Sequence, residues 1–231
     1  TSIWFRPDEE IFEETIFDPK IILDTLESRA WLHKVKIIFK DRVNGVTHKL
    51  DHCDSGLDGY LAQLVGEEPR ASAWEENIFS YQREEDIRME AAVLWSQAGG
   101  EHVRSFVNGI NTPQGGTHDL GLKAGLVKAV RNYMEIHNLQ PKGVKLSADD
   151  IRDGLRAIIA VYIADPQFKG QTKERLNNTE VNGQVASAIA PAFERYLNEN
   201  PSVAAGLVDR IVLGAKERAA AAQATETVSR K

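Results

Sequence analysis

The chain has 231 residues, 42% hydrophobic and 27% charged, the make-up of an ordinary globular protein with one sizeable domain or two small ones. A net charge of −6 excludes a strongly basic nucleic-acid binder, so any DNA contact must come from a local patch. A single cysteine, Cys53, excludes an internal disulfide and fits a reducing compartment, and no apolar run approaches membrane-spanning length, so a cytoplasmic location is expected. The opening at Thr1, with neither methionine nor signal peptide, leads us to expect a piece of a longer protein.

Ile3 to Phe5 predicts a strand ended by Pro7-Asp8. Pro19 suits the first turn of a helix, which then carries Ile22, Leu26 and Trp31. Val35 to Phe39 and Val46 to Leu50 flank Asn44-Gly45, the pattern of a hairpin. Leu57 to Val65 reads as a short helix closed by Gly66 and Pro69. These elements make an N-terminal lobe over residues 1–70. Ile78 to Gln82, Ile87 to Trp95 and His102 to Ile110 read as strands, and Gly99-Gly100 predicts a hairpin between the last two.

Beyond a glycine-rich loop, Leu122, Leu126, Val130 and Met134 recur at spacing four and predict a long helix, broken by Pro141 and Gly143. Ser147 is a favourable N-cap, and Asp149-Asp150 suit the positive end of the short helix it starts. The apolar run from Leu155 to Ile163 predicts the last strand. The order β-β-β-α-α-β-α, with residues 71–178 as its core and the last helix just beyond them, implies an α+β fold, a two-layer sandwich of a mixed sheet with helices on one face. Val181, Val185, Ile189, Phe193 and Tyr196 then mark an amphipathic helix. After an interruption at Asn198 to Pro201, Leu207, Ile211 and Ala215 mark another, which runs into Ala219 to Ala222. Residues 179–231 are therefore read as C-terminal helices.

The loop after the last predicted strand sets an amide, a hydroxyl and an ammonium side by side at Gln171, Thr172 and Lys173. Pro166 stiffens this loop and Gly170 permits unusual backbone angles. A lysine offers a compact charge with three donors and a glutamine offers amide donors, a set suited to a terminal phosphate. An ordinary polar surface loop is the plainer alternative. Gly115-Gly116-Thr117-His118, just before a helix, is either an anion site or a turn that only glycine can make. His48, Asp51, His52, Cys53 and Asp54 invite a metal reading, but alternate residues of a strand point to opposite faces, so no metal site is expected. Lys123, Lys128 and Arg131 form a basic set on the long helix, for which a solvated face is the commoner explanation.

Four stretches carry a joint signature: Phe5-Arg6-Pro7-Asp8 with Ile11-Phe12, then Asn111 to His118, then Asp149 to Leu155, then Gln171-Thr172-Lys173. In this order, and over about Thr1 to Lys231, the chain resembles the transducer domain of the B subunits of bacterial type II topoisomerases, DNA gyrase and topoisomerase IV. The resemblance implies a ribosomal-protein-like fold with a left-handed βαβ crossover, against the usual right-handed rule. It implies that residues 1–70 join an ATPase domain and that 179–231 lead to a DNA-cleavage domain. It implies that Gln171, Thr172 and Lys173 form the loop that reaches the γ-phosphate of ATP, bound with Mg²⁺, with Lys173 catalytic.

Lys123 matches a position where the family presents a basic residue to a cavity between two B subunits, through which double-stranded DNA passes without sequence preference. Lys128 and Arg131 would add to that patch. The remaining implied partners are the A subunit and the other domains of the same subunit. The family's general-base glutamate, Mg²⁺-binding asparagine, glycine-rich lid and acidic cleavage cluster are not in this sequence. The chain alone is therefore expected neither to bind or hydrolyse ATP nor to cut DNA. Two other readings stay open: a free-standing adaptor on the same fold, and the middle domain of a MutL-like or heat-shock ATPase.

Overall fold

A computed structural model describes residues 1–51, 56–70 and 77–229, with side chains through 222. They fall into two compact units, Thr1–Gly56 and Leu57–Lys231. In the first, helix α1 (Pro19–His33) starts as predicted, with Pro19 in its first turn and the Asp18 carboxylate accepting from Lys20 N at 2.8 Å. Strands β1 (Ile37–Asp41) and β2 (Val46–Leu50) pair antiparallel. Their turn is tied by the Asp41 carboxylate, which accepts from Val43 N at 2.9 Å and from the Asn44 side chain at 2.6 Å. The strand expected at Ile3 to Phe5 does not form. It has no ladder partner among the described residues, and a lone extended segment leaves its backbone to water.

The second unit holds helix α2 (Leu57–Val65), strands β3 (Phe79–Arg83), β4 (Arg88–Trp95), β5 (His102–Val107) and β6 (Ile110–Asn111), helices α3 (Thr117–Ile136) and α4 (Ala148–Arg152), strand β7 (Leu155–Tyr162), and helices α5 (Thr179–Glu199) and α6 (Pro201–Ser229). The sheet order is β3-β4-β7-β5-β6, with β5 and β7 parallel and the other pairs antiparallel.

Further expectations need correction. The β4–β5 hairpin does not form, because β7 enters between its arms. Every residue of β7 from Leu155 to Val161 is buried, so the strand is stable only with neighbours and layers on all sides. Gly154 sits in the fork, where Ser96 N donates to its carbonyl at 2.8 Å and its own N–H donates to Gly100 O at 2.7 Å. The run from His102 to Ile110 is not one strand either. Asn108 (φ 49°) and Gly109 (φ 73°) turn it into a short hairpin with both central φ values positive.

The helices also lie on both faces of the sheet. Residues of one parity face α3 and α5, with Phe193 packed on Phe79 at 5.0 Å and on Trp95 at 5.6 Å between ring centres. Residues of the other parity face α2, where the Arg104 guanidinium donates to Tyr60 Oη at 2.8 Å. The lobe boundary therefore falls at Gly56 rather than 70, because α2 covers the sheet. Helix α5 is likewise a core layer, not part of a trailing segment. It approaches α3 so closely that a Cβ at Gly121 would lie 2.6 Å from Asn182 O, and one at Gly125 would lie 3.0 Å from Ile189 Cβ.

Helix α3 ends at Ile136, ahead of the expected break at Pro141, with Asn138 left-handed just beyond. Ser147 caps α4 in a reciprocal capping box with Asp150. Asp150 also receives both Nε and Nη2 of Arg218, each at 2.7 Å, and Arg210 Nη2 meets Asp153 at 2.7 Å. Helix α6 is thus fastened to α4 by two arginines. The Arg218 guanidinium, aided by Ser147, holds the Asp150 carboxyl down at about 2.

Candidate functional site

The central strand β7 delivers the chain into a polar hairpin. Phe168 and Leu176 bridge antiparallel, Lys169 N donates to Arg175 O at 2.8 Å, and Asn177 N donates to Gln167 O at 2.8 Å. The tip turns at Gly170 (φ 84°) and Lys173 (φ 58°), and Gln171, Thr172 and Lys173 are all exposed there. Lys173 Nζ stands 6.0 Å from the centre of the Phe168 ring. Among the described residues no ion pair engages Lys169, Lys173 or Arg175. The acid between them, Glu174, is held by the side-chain amide of Gln114. The tip therefore offers unneutralised ammonium and guanidinium groups next to amide donors.

Three elements pin the base of this hairpin. Asn108 brackets the end of β7, donating to Ile163 O at 2.8 Å and accepting from Ile163 N at 2.9 Å. Asn178, 8% exposed and N-cap of α5, accepts from Gln167 N at 2.7 Å and donates to Asp165 O at 3.2 Å. The glycine loop before α3 holds the return arm. Gln114 N donates to Glu174 O at 3.0 Å, Leu176 N donates to Gly115 O at 3.2 Å, and Thr117 N donates to Leu176 O at 3.2 Å.

Those glycines are needed for close approach: a Cβ at Gly116 (φ 138°) would lie 2.5 Å from both N and O of Leu176. Of the two readings left open for this loop, the geometry favours the turn. Its N–H groups at Gln114 and Thr117 are spent on the hairpin rather than free for an anion. Asn108 and Asn178 escaped the sequence reading. The Asn108-Gly109 pair was the available signal for the first, as a two-residue turn.

His118 lies fully buried beneath this junction, with Nε2 3.2 Å from Thr112 Oγ1 and Nδ1 unpartnered among the described residues. Burial drives its pKa down to about 4. An unfolded chain takes up this proton near the ordinary value of 6.5, and the folded chain does so only near 4. Stability is therefore expected to fall as pH drops from 6.5 towards 4, by up to roughly 3 kcal/mol from this group alone. The neighbouring Asp119 opposes the trend, since burial raises its carboxyl. Urea titrations at pH 7 and pH 5 should show that His118→Gln loses less stability on acidification than the parent chain.

The basic residues of α3 are not gathered on one face. At 3.6 residues per turn, Lys128 is rotated roughly 140° from Lys123. Lys128 and Arg131 are exposed and, among the described residues, unpaired. Lys123 is instead engaged by Asp119 and Glu101. None of the three belongs to the hairpin. His52, Cys53 and Asp54 lie outside the described residues. Among those described, no acid, histidine or cysteine group forms a metal cluster, and no helix is long and apolar enough to cross a membrane.

Known proteins resemble this chain in sequence and overall fold. The chain is 37% identical over its whole length to the DNA gyrase B subunit of Campylobacter jejuni, and 38% identical over 96% of its length to the DNA topoisomerase 4 B subunit of Salmonella typhimurium. It spans about a third of each, 30% and 35%. Among solved structures, the 43K ATPase domain of Thermus thermophilus gyrase B, in complex with an aminocoumarin, superposes with a TM-score of 0.77 at 28% identity, over 96% of this chain and 59% of that one. The topoisomerase IV ATP-binding domain of Francisella tularensis superposes at 0.72 and 33% identity, over 92% of this chain and 57% of that one. The DNA gyrase B profile matches residues 56–227, which include the five-stranded sheet, the pinned hairpin and most of the arginine-fastened helix α6. With the two relatives aligned along nearly all of its length, the chain belongs to the DNA gyrase B family.

Proposed function

We propose that this chain is the transducer portion of a type II topoisomerase B subunit, relaying ATP binding and hydrolysis to the movements that open and close DNA gates. The observation that carries the reading is the hairpin: Gln171 and Lys173 stand exposed at its tip, without an acidic partner among the described residues, on a base tied to three elements. In the whole subunit, Gln171 and Lys173, with Thr172 between them, would meet the γ-phosphate of Mg²⁺-ATP held by the ATPase domain. That contact exists before hydrolysis and is lost after it, so it can bias the angle between domains. Lys173 would also stabilise charge building on the transferred phosphoryl group.

The first unit supports a domain-joining role. Its Ile3, Trp4, Ile11, Ile16 and Ile21 expose between 67% and 89% of their surface, which suits docking onto the ATPase domain. In the second unit, α6 would carry motion towards the cleavage domain and the A subunit. The test is ATP turnover by a full-length subunit carrying Lys173→Ala; unchanged turnover would overturn the phosphate role.

Lys128 and Arg131, exposed on α3, are the better candidates for contacting double-stranded DNA between two B subunits. Replacing both by glutamate in the full enzyme should abolish DNA stimulation while sparing basal ATPase activity. The plot of log affinity against log salt should flatten by about 2 for each B subunit that contacts the DNA. A mutant still fully stimulated at low salt would place the DNA contact elsewhere.

A further inference from the structure

The glycine loop under the hairpin is held from below by charge. Lys123 Nζ donates to Asp119 Oδ2 at 2.9 Å and pairs with Glu101, whose other oxygen lies 3.3 Å from Arg152 Nε. Arg152 in turn pairs with Asp149. Side chains from α3, the β4–β5 connection and α4 thus meet in one network. Its centre is not a surface pair: the Lys123 side chain is 17% exposed and that of Asp119 is 12% exposed. Asp119 presses directly on Gly115, where an added Cβ would lie 2.6 Å from Oδ2. The carbonyl of that glycine accepts from Leu176 N at 3.2 Å, three residues beyond Lys173.

We propose that Lys123 is a positioning residue: through Asp119 and Glu101 it fixes the Gly115-Gly116 seat on which the Gln171–Lys173 hairpin stands. Its functional meaning rests on the phosphate-contacting role of that hairpin, but the geometry itself involves no nucleotide. An ammonium shared between the buried Asp119 and the partly exposed Glu101 is poorly placed to leave for a phosphate, because its departure leaves Asp119 buried without an ion-pair partner, while Glu101 keeps Arg152. It is well placed to hold Asp119 against the glycine backbone. A lysine at this point in the helix thereby sets the height of the loop above it.

Hydrogen exchange on this chain tests the idea. Lys123→Met should speed exchange of the Leu176, Thr117 and Gln114 amides by about tenfold, while amides of β4 and β7 change far less. Lys123→Arg, which keeps the charge, should restore most of the protection. Glu101→Gln removes one of the two acids and should give an intermediate effect, and it supplies the reading if Lys123→Met does not fold. Lys173→Ala should leave these amides unchanged. A lost phosphate role, read by turnover, is therefore distinguishable from a lost seat, read by exchange. Unchanged exchange at Leu176 would overturn the proposal, as would a uniform rise across sheet and hairpin. Weakened DNA binding without faster exchange would also overturn it and make Lys123 a phosphate contact.

Discussion

Lys173→Ala in a full-length B subunit is expected to lower the ATP turnover number by about a hundredfold or more, with nucleotide affinity falling much less. The reason lies in the free state of the ammonium. No acid among the described residues engages it, so its charge is not spent within the domain. Such a charge is worth most where negative charge grows, on the phosphoryl group in the transition state. Lysine also carries its charge at a point, and arginine's flat fork does not reproduce that geometry, so Lys173→Arg should recover only part of the rate. Steady-state turnover and nucleotide binding, measured on the same preparations, separate the two effects. A loss confined to affinity would make Lys173 a binding residue only.

Gly116→Val is expected to destabilise the second unit by roughly 3–5 kcal/mol, from forced backbone movement together with left-handed strain. The melting temperature should fall by about 10 °C for a unit of this size. The new Cβ would lie 2.5 Å from both the N and the O of Leu176, so the bridge between the glycine loop and the hairpin arm cannot survive in place. Gly170 is the matched control. It has φ 84°, yet a Cβ there meets nothing within 4 Å. Gly170→Ala should therefore cost only the local strain, about 1 kcal/mol. Thermal and urea unfolding of the two variants should differ clearly. Equal losses would mean that the loop-to-hairpin bridge contributes little to the fold.

Local signals were legible in the sequence because they act over one or two turns of chain. Asp18 and Pro19 start α1, and Ser147 with Asp150 builds the capping box of α4, each through backbone groups within three residues. The spacing of Leu122, Leu126, Val130 and Met134 marked the buried stripe of α3, since a helix repeats every 3.6 residues. The Gln171-Thr172-Lys173 loop was legible too, because its side chains point outward and little tertiary context acts on them.

What only the tertiary structure decided are the contacts between distant parts of the chain. The glycines at 99 and 100 look like a hairpin turn locally, yet β7, more than fifty residues later, takes the place between β4 and β5. Periodicity assigns Lys123 to a helix face but does not say that Glu101 comes to meet it there. In the same way Asn108, Asn178 and the two glycines show their purpose only once β7, α5 and the hairpin arm are in position. Sequence by itself determined the helices, most of the strands and the exposed polar tip of this protein. Tertiary packing determined the sheet order and the footing of that tip, because pairing across long loops is selected by burial of whole strands rather than by neighbouring residues.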